Sequence, residues 1–91
     1  MDPDATIDHD EPTPVYLQLA GILRARIERG DWAPNRQILS EAQLVQAYGL
    51  ARETTRKAVR LLIDEGVLFT VPGRGTFVSP QAITQPTAED V

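Results

Sequence analysis

Three arginines recur at every fourth position in the second half of the chain, and they offer the clearest chemistry in the sequence. Arg52, Arg56 and Arg60 are each four residues apart, so on an α-helix their side chains form one stripe that drifts by about 40° per step. A guanidinium can donate two parallel hydrogen bonds to guanine O6 and N7, and it can also bind phosphate. The spacing therefore predicts a cationic helix face suited to a nucleic acid.

Two neighbours widen this arginine stripe. Thr54 stands near the expected helix start, where its side chain can reach a phosphate or a thymine methyl group. Lys57 lies beside the stripe, and Glu53 moderates the positive charge of this face because it can pair with Lys57 four residues further on. The stripe alone leaves two interpretations open, since a charged helix face is equally typical of a helix that meets only solvent.

A further arginine stands in a turn. Arg74 lies between Gly73 and Gly75 and follows Pro72, a composition that predicts a tight turn. An arginine at such a tip can enter a minor groove or bind phosphate, where the negative potential is strong. The alternative interpretation is a flexible turn with an incidental charge.

Catalytic and metal-binding chemistry is poorly represented. The chain has no cysteine and a single histidine, His9, and the acids of its central part are scattered over helix surfaces. No converging set of nucleophile, base or metal ligands is apparent. We therefore expect no enzyme activity, no cofactor and no metal.

The net charge of −4 and the pI near 4.8 conceal an uneven distribution. Residues 1–11 hold five acids and no base, and residues 81–91 hold two acids and no base. Without these seven of the 13 acids, six acids face nine bases between residues 12 and 80. The central part can therefore present the positive field that a phosphate backbone requires.

The 91 residues suffice for one small domain. Residues 1–12 contain one sizeable aliphatic side chain, Ile7, so we expect a disordered acidic arm. Residues 13–79 carry the periodic segments, and residues 80–91 are expected to form a flexible tail or the start of a linker. No uninterrupted apolar run exceeds three residues, as in Leu61–Ile63, which is far short of the roughly 18 that span a bilayer. We expect a cytoplasmic protein without a membrane partner.

The first predicted helix covers about residues 14–29. Thr13 offers a hydroxyl to cap it, Pro14 suits the first helical position, and Gly30 supplies a left-handed stop. One apolar face recurs with the helical period, formed by Tyr16, Leu19, Ala20, Leu23 and Ile27.

Two shorter helical patterns follow. Ser40 and Gln43 form a capping-box pattern that opens a helix ending at Gly49. A third helix is predicted over Arg52–Glu65, with inward residues Thr55, Ala58, Val59 and Leu62. Two helices separated by three residues that include a glycine match a helix-turn-helix.

The chain then changes period. Val67–Val71 and Thr76–Val78 predict two short strands around the turn that carries Arg74, and Gln37–Leu39 is extended enough for a third. The expected fold class is mainly α with a small β-hairpin. Its architecture is a winged helix-turn-helix of three helices and a two- or three-stranded wing.

Over about residues 13–79, the chain closely resembles the N-terminal domain of GntR-family bacterial transcription regulators, and the spacing between the family's typical residues is preserved. The segments that carry the resemblance, in which Leu39 and Ala51 are departures, are Pro14–Ala20, Leu23–Arg24, Ile27, Gly30, Pro34, Leu39–Glu41, Leu44, Tyr48–Arg52, Thr54, Arg56, Ala58–Val59, Leu62, Glu65–Leu68 and Gly73–Val78. The resemblance implies sequence-specific binding of double-stranded operator DNA by a dimer on a palindromic site, with repression as the expected outcome.

The resemblance also implies residue roles. Arg52, Thr54 and Arg56 look like base and phosphate contacts on the recognition helix. Ser40 and Glu41 open the helix that faces the DNA backbone, and the turn of Gly73, Arg74 and Gly75 resembles the DNA-reaching wing. Lys57 and Arg60 complete the predicted DNA-binding set.

Four positions depart from the family pattern. Leu39 stands where proline is usual, Asn35 where glycine is usual, and Thr55 where an apolar β-branched residue is usual. Ala51 replaces a serine or threonine, so the recognition helix loses a capping hydroxyl worth about 0.5–2 kcal/mol. The family also continues into a C-terminal effector domain, so a small-molecule effector is expected only if such a domain follows this chain.

A winged helix used for protein contacts without DNA is the alternative function, because a fold does not fix a function. That function predicts an apolar exposed face on the third helix, whereas this face carries arginines. Binding of single-stranded RNA calls for exposed aromatic residues, and four of the five aromatics occupy expected core or anchor positions: Tyr16, Trp32, Tyr48 and Phe77.

Overall fold

Residues 2–80 of the chain are described by a computed structural model. They form three helices followed by two strands: α1 Val15–Arg29, α2 Glu41–Tyr48, α3 Arg52–Asp64, β1 Leu68–Val71 and β2 Gly75–Val78. The predicted winged helix-turn-helix is confirmed. The expected flexible tail lies outside the described residues except for Pro80.

The start of α1 differs from the prediction by one residue. Pro14 is the N-cap, with φ −52° and ψ 142°, and no side chain caps the helix. The expected hydroxyl cap from Thr13 is therefore wrong, because that residue stands one position too early. Its carbonyl oxygen instead accepts a hydrogen bond of 2.9 Å from the side-chain amide of Gln18.

The helix-turn-helix is built from local signals. Ser40 Oγ accepts from the Gln43 N–H at 3.1 Å, and Gln43 Oε1 accepts from the Ser40 N–H at 2.8 Å, which confirms the capping box. Gly49 ends α2 with φ 68°. Ala51 is the N-cap of α3 and gives it no side-chain cap.

Strands β1 and β2 form an antiparallel hairpin with Leu68 opposite Val78 and Val71 opposite Gly75. The predicted third strand is reduced to a single bridge between Gln37 and Phe77. The loop that leads to this bridge carries Asn35 at φ 66°, a left-handed conformation that asparagine tolerates better than most residues. This conformation explains why the family's usual glycine can be replaced there.

One apolar core joins all five elements, and α1 packs along α3 within it. The core comprises Leu19, Ala20, Leu23, Ile27, Ile38, Leu44, Leu50, Ala58, Leu62, Leu68 and Val78. Thr55 is also completely buried, whereas Val59 is only partly buried. Since α3 turns its apolar side towards α1, its charged residues are left on the surface.

Residues 2–12 lack helix and strand, but they contact α1. The Asp4 carboxylate pairs with Arg29 at 2.9 Å, and Ile7 packs against the core. Both the N–H and the carbonyl of Asp8 bond to the buried side chain of Gln18 at 2.9 Å. The composition of the expected disordered arm does not signal these contacts, and the freedom of the arm in solution stays a prediction.

Candidate nucleic-acid interface

The exposed face of α3 carries the predicted arginine stripe. The Arg52 side chain is 68% exposed and that of Arg56 46% exposed, and Lys57 and Arg60 are also exposed. Thr54 is partly buried at the start of the same helix. The helix thus brings the predicted α3 residues together on the surface, as their spacing indicated.

Arg56 is held by an acid from α2. Its Nε and Nη2 donate to the Glu41 carboxylate at 2.8 and 3.2 Å, and Arg52 Nε lies 3.8 Å from the same carboxylate. The hydrogen bond from Arg56 lowers the pKa of Glu41, although partial desolvation opposes the shift. The Glu41 carboxylate thereby holds the Arg56 side chain beside the start of α2. Its predicted place facing the DNA backbone stays a prediction.

Lys57 finds a different partner from the one expected. Its ammonium lies 4.2 Å from the centroid of the Tyr16 ring on α1, a cation–π distance. Glu53 instead lies 3.6 Å from Arg56, one turn further along the helix. The predicted pairing of Glu53 with Lys57 is therefore wrong, because a tertiary contact with α1 competes for the lysine.

Two depressions flank the middle of α3. One, of about 220 Å³, lies between α3, the start of α2 and the wing, and its lining includes Leu39, Thr70 and Thr76. The other, of about 430 Å³, runs along the α1 side and includes Tyr16 and Lys57. Arg56 and Arg60 line both. Arg56 and Arg60 therefore form an arginine ridge between the two depressions.

The wing tip is a tight turn. The Arg74 N–H donates to the Val71 carbonyl at 2.9 Å, and Gly73 has φ 77°. With Pro72 before that glycine, the turn has the sequence and the positive φ of type II. Arg74 is exposed at its end. The tip is thus built as predicted, on a separate element from the arginine stripe.

Ser40 and Gln37 complete the surface. Ser40 Oγ accepts the capping bond, which leaves its O–H as a donor. The Gln37 side-chain amide donates to the Arg74 carbonyl at 3.1 Å, a contact that the sequence analysis missed. Nothing in the periodicity of the sequence signals it, since the partners stand 37 positions apart.

Comparison with known proteins identifies this arrangement. Residues 15–78 match the gntR family of bacterial regulatory proteins. The chain belongs to the GntR family. This match covers all three helices and the wing, and it confirms the resemblance noted in the sequence. The GntR domain is a helix-turn-helix DNA-binding domain of transcription regulators and not an enzyme, as expected.

Two similar curated proteins are repressors by name. The chain is 35% identical over 79 residues to the HTH-type transcriptional repressor NagR of Bacillus subtilis, covering 87% of this chain and 32% of NagR. It is 41% identical over 68 residues to the histidine utilization repressor of Klebsiella aerogenes, covering 75% of this chain and 28% of that protein. The GntR chain thus spans about a third or less of these relatives.

Solved structures show the same fold. AraR(DBD), in a structure with operator ORR3, is 33% identical to this chain with a TM-score of 0.73. The match covers 84% of this chain and 92% of that chain. YtrA from Sulfolobus acidocaldarius, a GntR-family transcription factor, is 31% identical with a TM-score of 0.73. The match covers 81% of this chain and 78% of that chain.

Among residues 2–80, no helix is long and apolar enough to cross a membrane.

Proposed function

We propose that this GntR-family chain binds a specific double-stranded operator, with α3 in the major groove and the wing tip at the adjacent minor groove. The arginine ridge on α3 is the observation that carries the proposal, because Arg56 and Arg60 stand exposed between two open grooves. The operator complex of AraR(DBD), similar over 84% of this chain, supports it.

Within this interface we assign different roles to the residues of α3. Arg52 lies in the first turn, the end of a recognition helix that approaches base edges. It is also the more exposed of the two arginines near Glu41, so it is free to reach a guanine. Arg56, Lys57 and Arg60 lie further along and bind phosphate. Thr54 reaches a thymine methyl or a phosphate from the first turn.

Other residues fix the position of the protein on the DNA backbone. Ser40 can donate its hydroxyl to a phosphate at the start of α2, while Glu41 orients Arg56. At the wing, Gly73 and Gly75 allow the close turn that presents Arg74. Arg74 contacts the minor groove or a phosphate beside it.

We further propose that two copies bind a palindromic operator and that the outcome is repression in the bacterial cytoplasm. Helix-turn-helix dimers read half-sites about one helical turn apart. Both NagR and the histidine utilization repressor are repressors by name. A small-molecule effector enters this proposal only if a C-terminal domain follows this chain.

A protein-interaction module without DNA binding is the competing function. Such a module needs an apolar exposed patch. Within residues 2–80, Leu17 on α1 is the large hydrophobic residue that stands exposed, at 37%. One such residue is an ordinary surface feature, and the charged face of α3 favours DNA.

Selection from a randomised duplex pool tests the proposal. The 91-residue chain should recover palindromic duplexes, and two copies should bind each one, with a half-site duplex bound weakly. A mutant in which Arg52, Arg56 and Arg60 are all alanine is the control and should recover no consensus. Recovery of no consensus by the parent chain, or a tight one-to-one complex on a full palindrome, would contradict the proposal.

A further inference from the structure

We propose that Gln37 is a positioning residue that holds the wing tip in the orientation in which Arg74 meets DNA. The inference rests on the proposed DNA binding and deepens it. It requires no contact between Gln37 and DNA. Gln37 acts through the backbone of the turn, to which it is joined by two contacts of its side-chain amide and one of its backbone.

The first contact is a hydrogen bond to the tip itself. Gln37 Nε2 donates to the carbonyl oxygen of Arg74 at 3.1 Å. That carbonyl belongs to the peptide that joins Arg74 to Gly75, so the bond fixes the plane of this peptide. The direction in which the Arg74 side chain leaves the turn depends on this plane.

The second contact is steric. A Cβ added to Gly75 would collide with Gln37 Nε2 and would lie 3.1 Å from its Cδ. The amide group of Gln37 therefore occupies the space beside the Gly75 backbone. Gly75 also has φ 128°, a conformation that disfavours any other residue. The backbone conformation favours glycine at this position, and the contact shows how closely the Gln37 amide approaches the turn.

The third contact anchors Gln37 at the base of the wing. Its backbone bridges to Phe77 on β2, and hydrogen bonds of 3.0 and 2.9 Å join Ile38 N–H to Thr76 O and Val78 N–H to Arg36 O. Ile38 is itself a core residue. The side chain thus links the core to the tip of a two-stranded hairpin, an element that is only marginally stable by itself.

Measurements on the free protein test the link without DNA. In the parent chain, backbone 15N order parameters at residues 73–75 should be near the rigid value of about 0.85, and in Gln37→Ala they should fall below about 0.6. Gln37→Met keeps the length of the side chain but has no donor, so it should give an intermediate value. Gln46→Ala, which removes an exposed glutamine from α2, is the matched control and should leave the tip unchanged.

A double-mutant cycle on DNA tests the positioning role. The probe is a duplex that the parent chain recovers from a randomised pool. Loss of one hydrogen bond should weaken binding by about three- to tenfold in Gln37→Ala. Arg74→Ala should cost about tenfold in the parent but at most about threefold in the Gln37→Ala background, because Gln37 acts through Arg74. The Gln46→Ala and Arg74→Ala effects should instead be independent.

The outcomes separate this proposal from the proposed function. A mobile tip together with coupled effects of Gln37 and Arg74 supports it. An equally rigid tip in Gln37→Ala overturns it, whether or not the protein binds DNA. A mobile tip with independent effects, or no effect of Arg74→Ala, also overturns it. The proposed function fails separately, when the parent chain prefers no duplex at all.

Discussion

Arg52 and Arg60 carry the same charge on the same helix, yet their positions predict different effects on DNA binding. Arg52 begins α3, whereas Arg60 lies two turns further along. Arg52→Ala should weaken operator binding by about 1–3 kcal/mol and relax the preference at one base pair per half-site, as loss of a bidentate guanine contact does. Arg60→Ala should cost less and weaken binding to all sequences alike.

Binding of both variants to a set of single-base operator mutants measures this difference. The Arg60→Ala protein serves as the charge-matched control, since each variant loses one positive charge. An unchanged base preference in the Arg52→Ala protein would refute the reading role of Arg52.

Thr55 is a polar residue in the apolar interior. It is completely buried in α3, and within residues 2–80 its Oγ1 has no hydrogen-bond partner. A buried hydroxyl without a partner costs about 1–3 kcal/mol. Thr55→Val, which matches its shape, should therefore raise the free energy of unfolding by about 1 kcal/mol. Urea denaturation should show a higher midpoint with an unchanged slope.

Thr54→Val is the matched control for this substitution. Thr54 is only partly buried, so the same change there should alter stability by no more than about 0.5 kcal/mol. A Thr55→Val protein less stable than the parent would show that the hydroxyl has a partner in solution.

At the scale of elements, the start of α3 lacks a side-chain cap that a single substitution could supply. Ala51 is its N-cap, with φ −63° and ψ 150°, and makes no side-chain cap. This extended conformation is the one from which a serine caps a helix, so Ala51→Ser should stabilise the protein by about 0.5–2 kcal/mol. Thermal unfolding of both proteins measures it, with Ala33→Ser in an exposed loop as control. Equal stability of the two serine variants would contradict the capping argument.

Most elements could be predicted because their signals are local. The helical period, the Ser40–Gln43 box and the glycine stops lie within a few residues of the structure they determine. Contacts between residues far apart in the sequence could not be predicted in this way. Lys57 contacts Tyr16 and Gln37 contacts Arg74, and these partners stand too far apart in the sequence for a periodic pattern to reveal them.

The candidate site follows the same division. The arginine stripe and the exposed Arg74 were predicted, because helical spacing and turn chemistry are local. The bidentate contact from Arg56 to Glu41 was not, because it depends on how α2 crosses α3.

At the scale of the whole molecule, the charge of the arm opposes the charge of the domain. Residues 1–11 contain five acids, and Asp4 and Asp8 hold part of this segment against α1. Deleting residues 1–11 should strengthen binding to nonspecific duplex DNA, since fewer acids repel phosphate. Fluorescence anisotropy with a shuffled duplex measures the effect.

The control for this deletion replaces the acids within residues 2–11 by their amides, which keeps the length of the arm. Both variants should gain affinity, and the gain should shrink as salt rises. Equal affinity of the parent and the deleted chain at low salt would show that the arm exerts no field on the DNA-binding face.

The central claim is that an acidic chain binds operator DNA through a basic ridge and wing, and its most direct test is a salt titration of operator affinity. Four or five phosphate contacts at roughly −0.9 each predict a slope of log affinity against log salt near −4. At every salt concentration, the selected palindrome should also be bound more tightly than a shuffled duplex of the same composition. A flat salt dependence, or equal affinity for the two duplexes, would contradict the account.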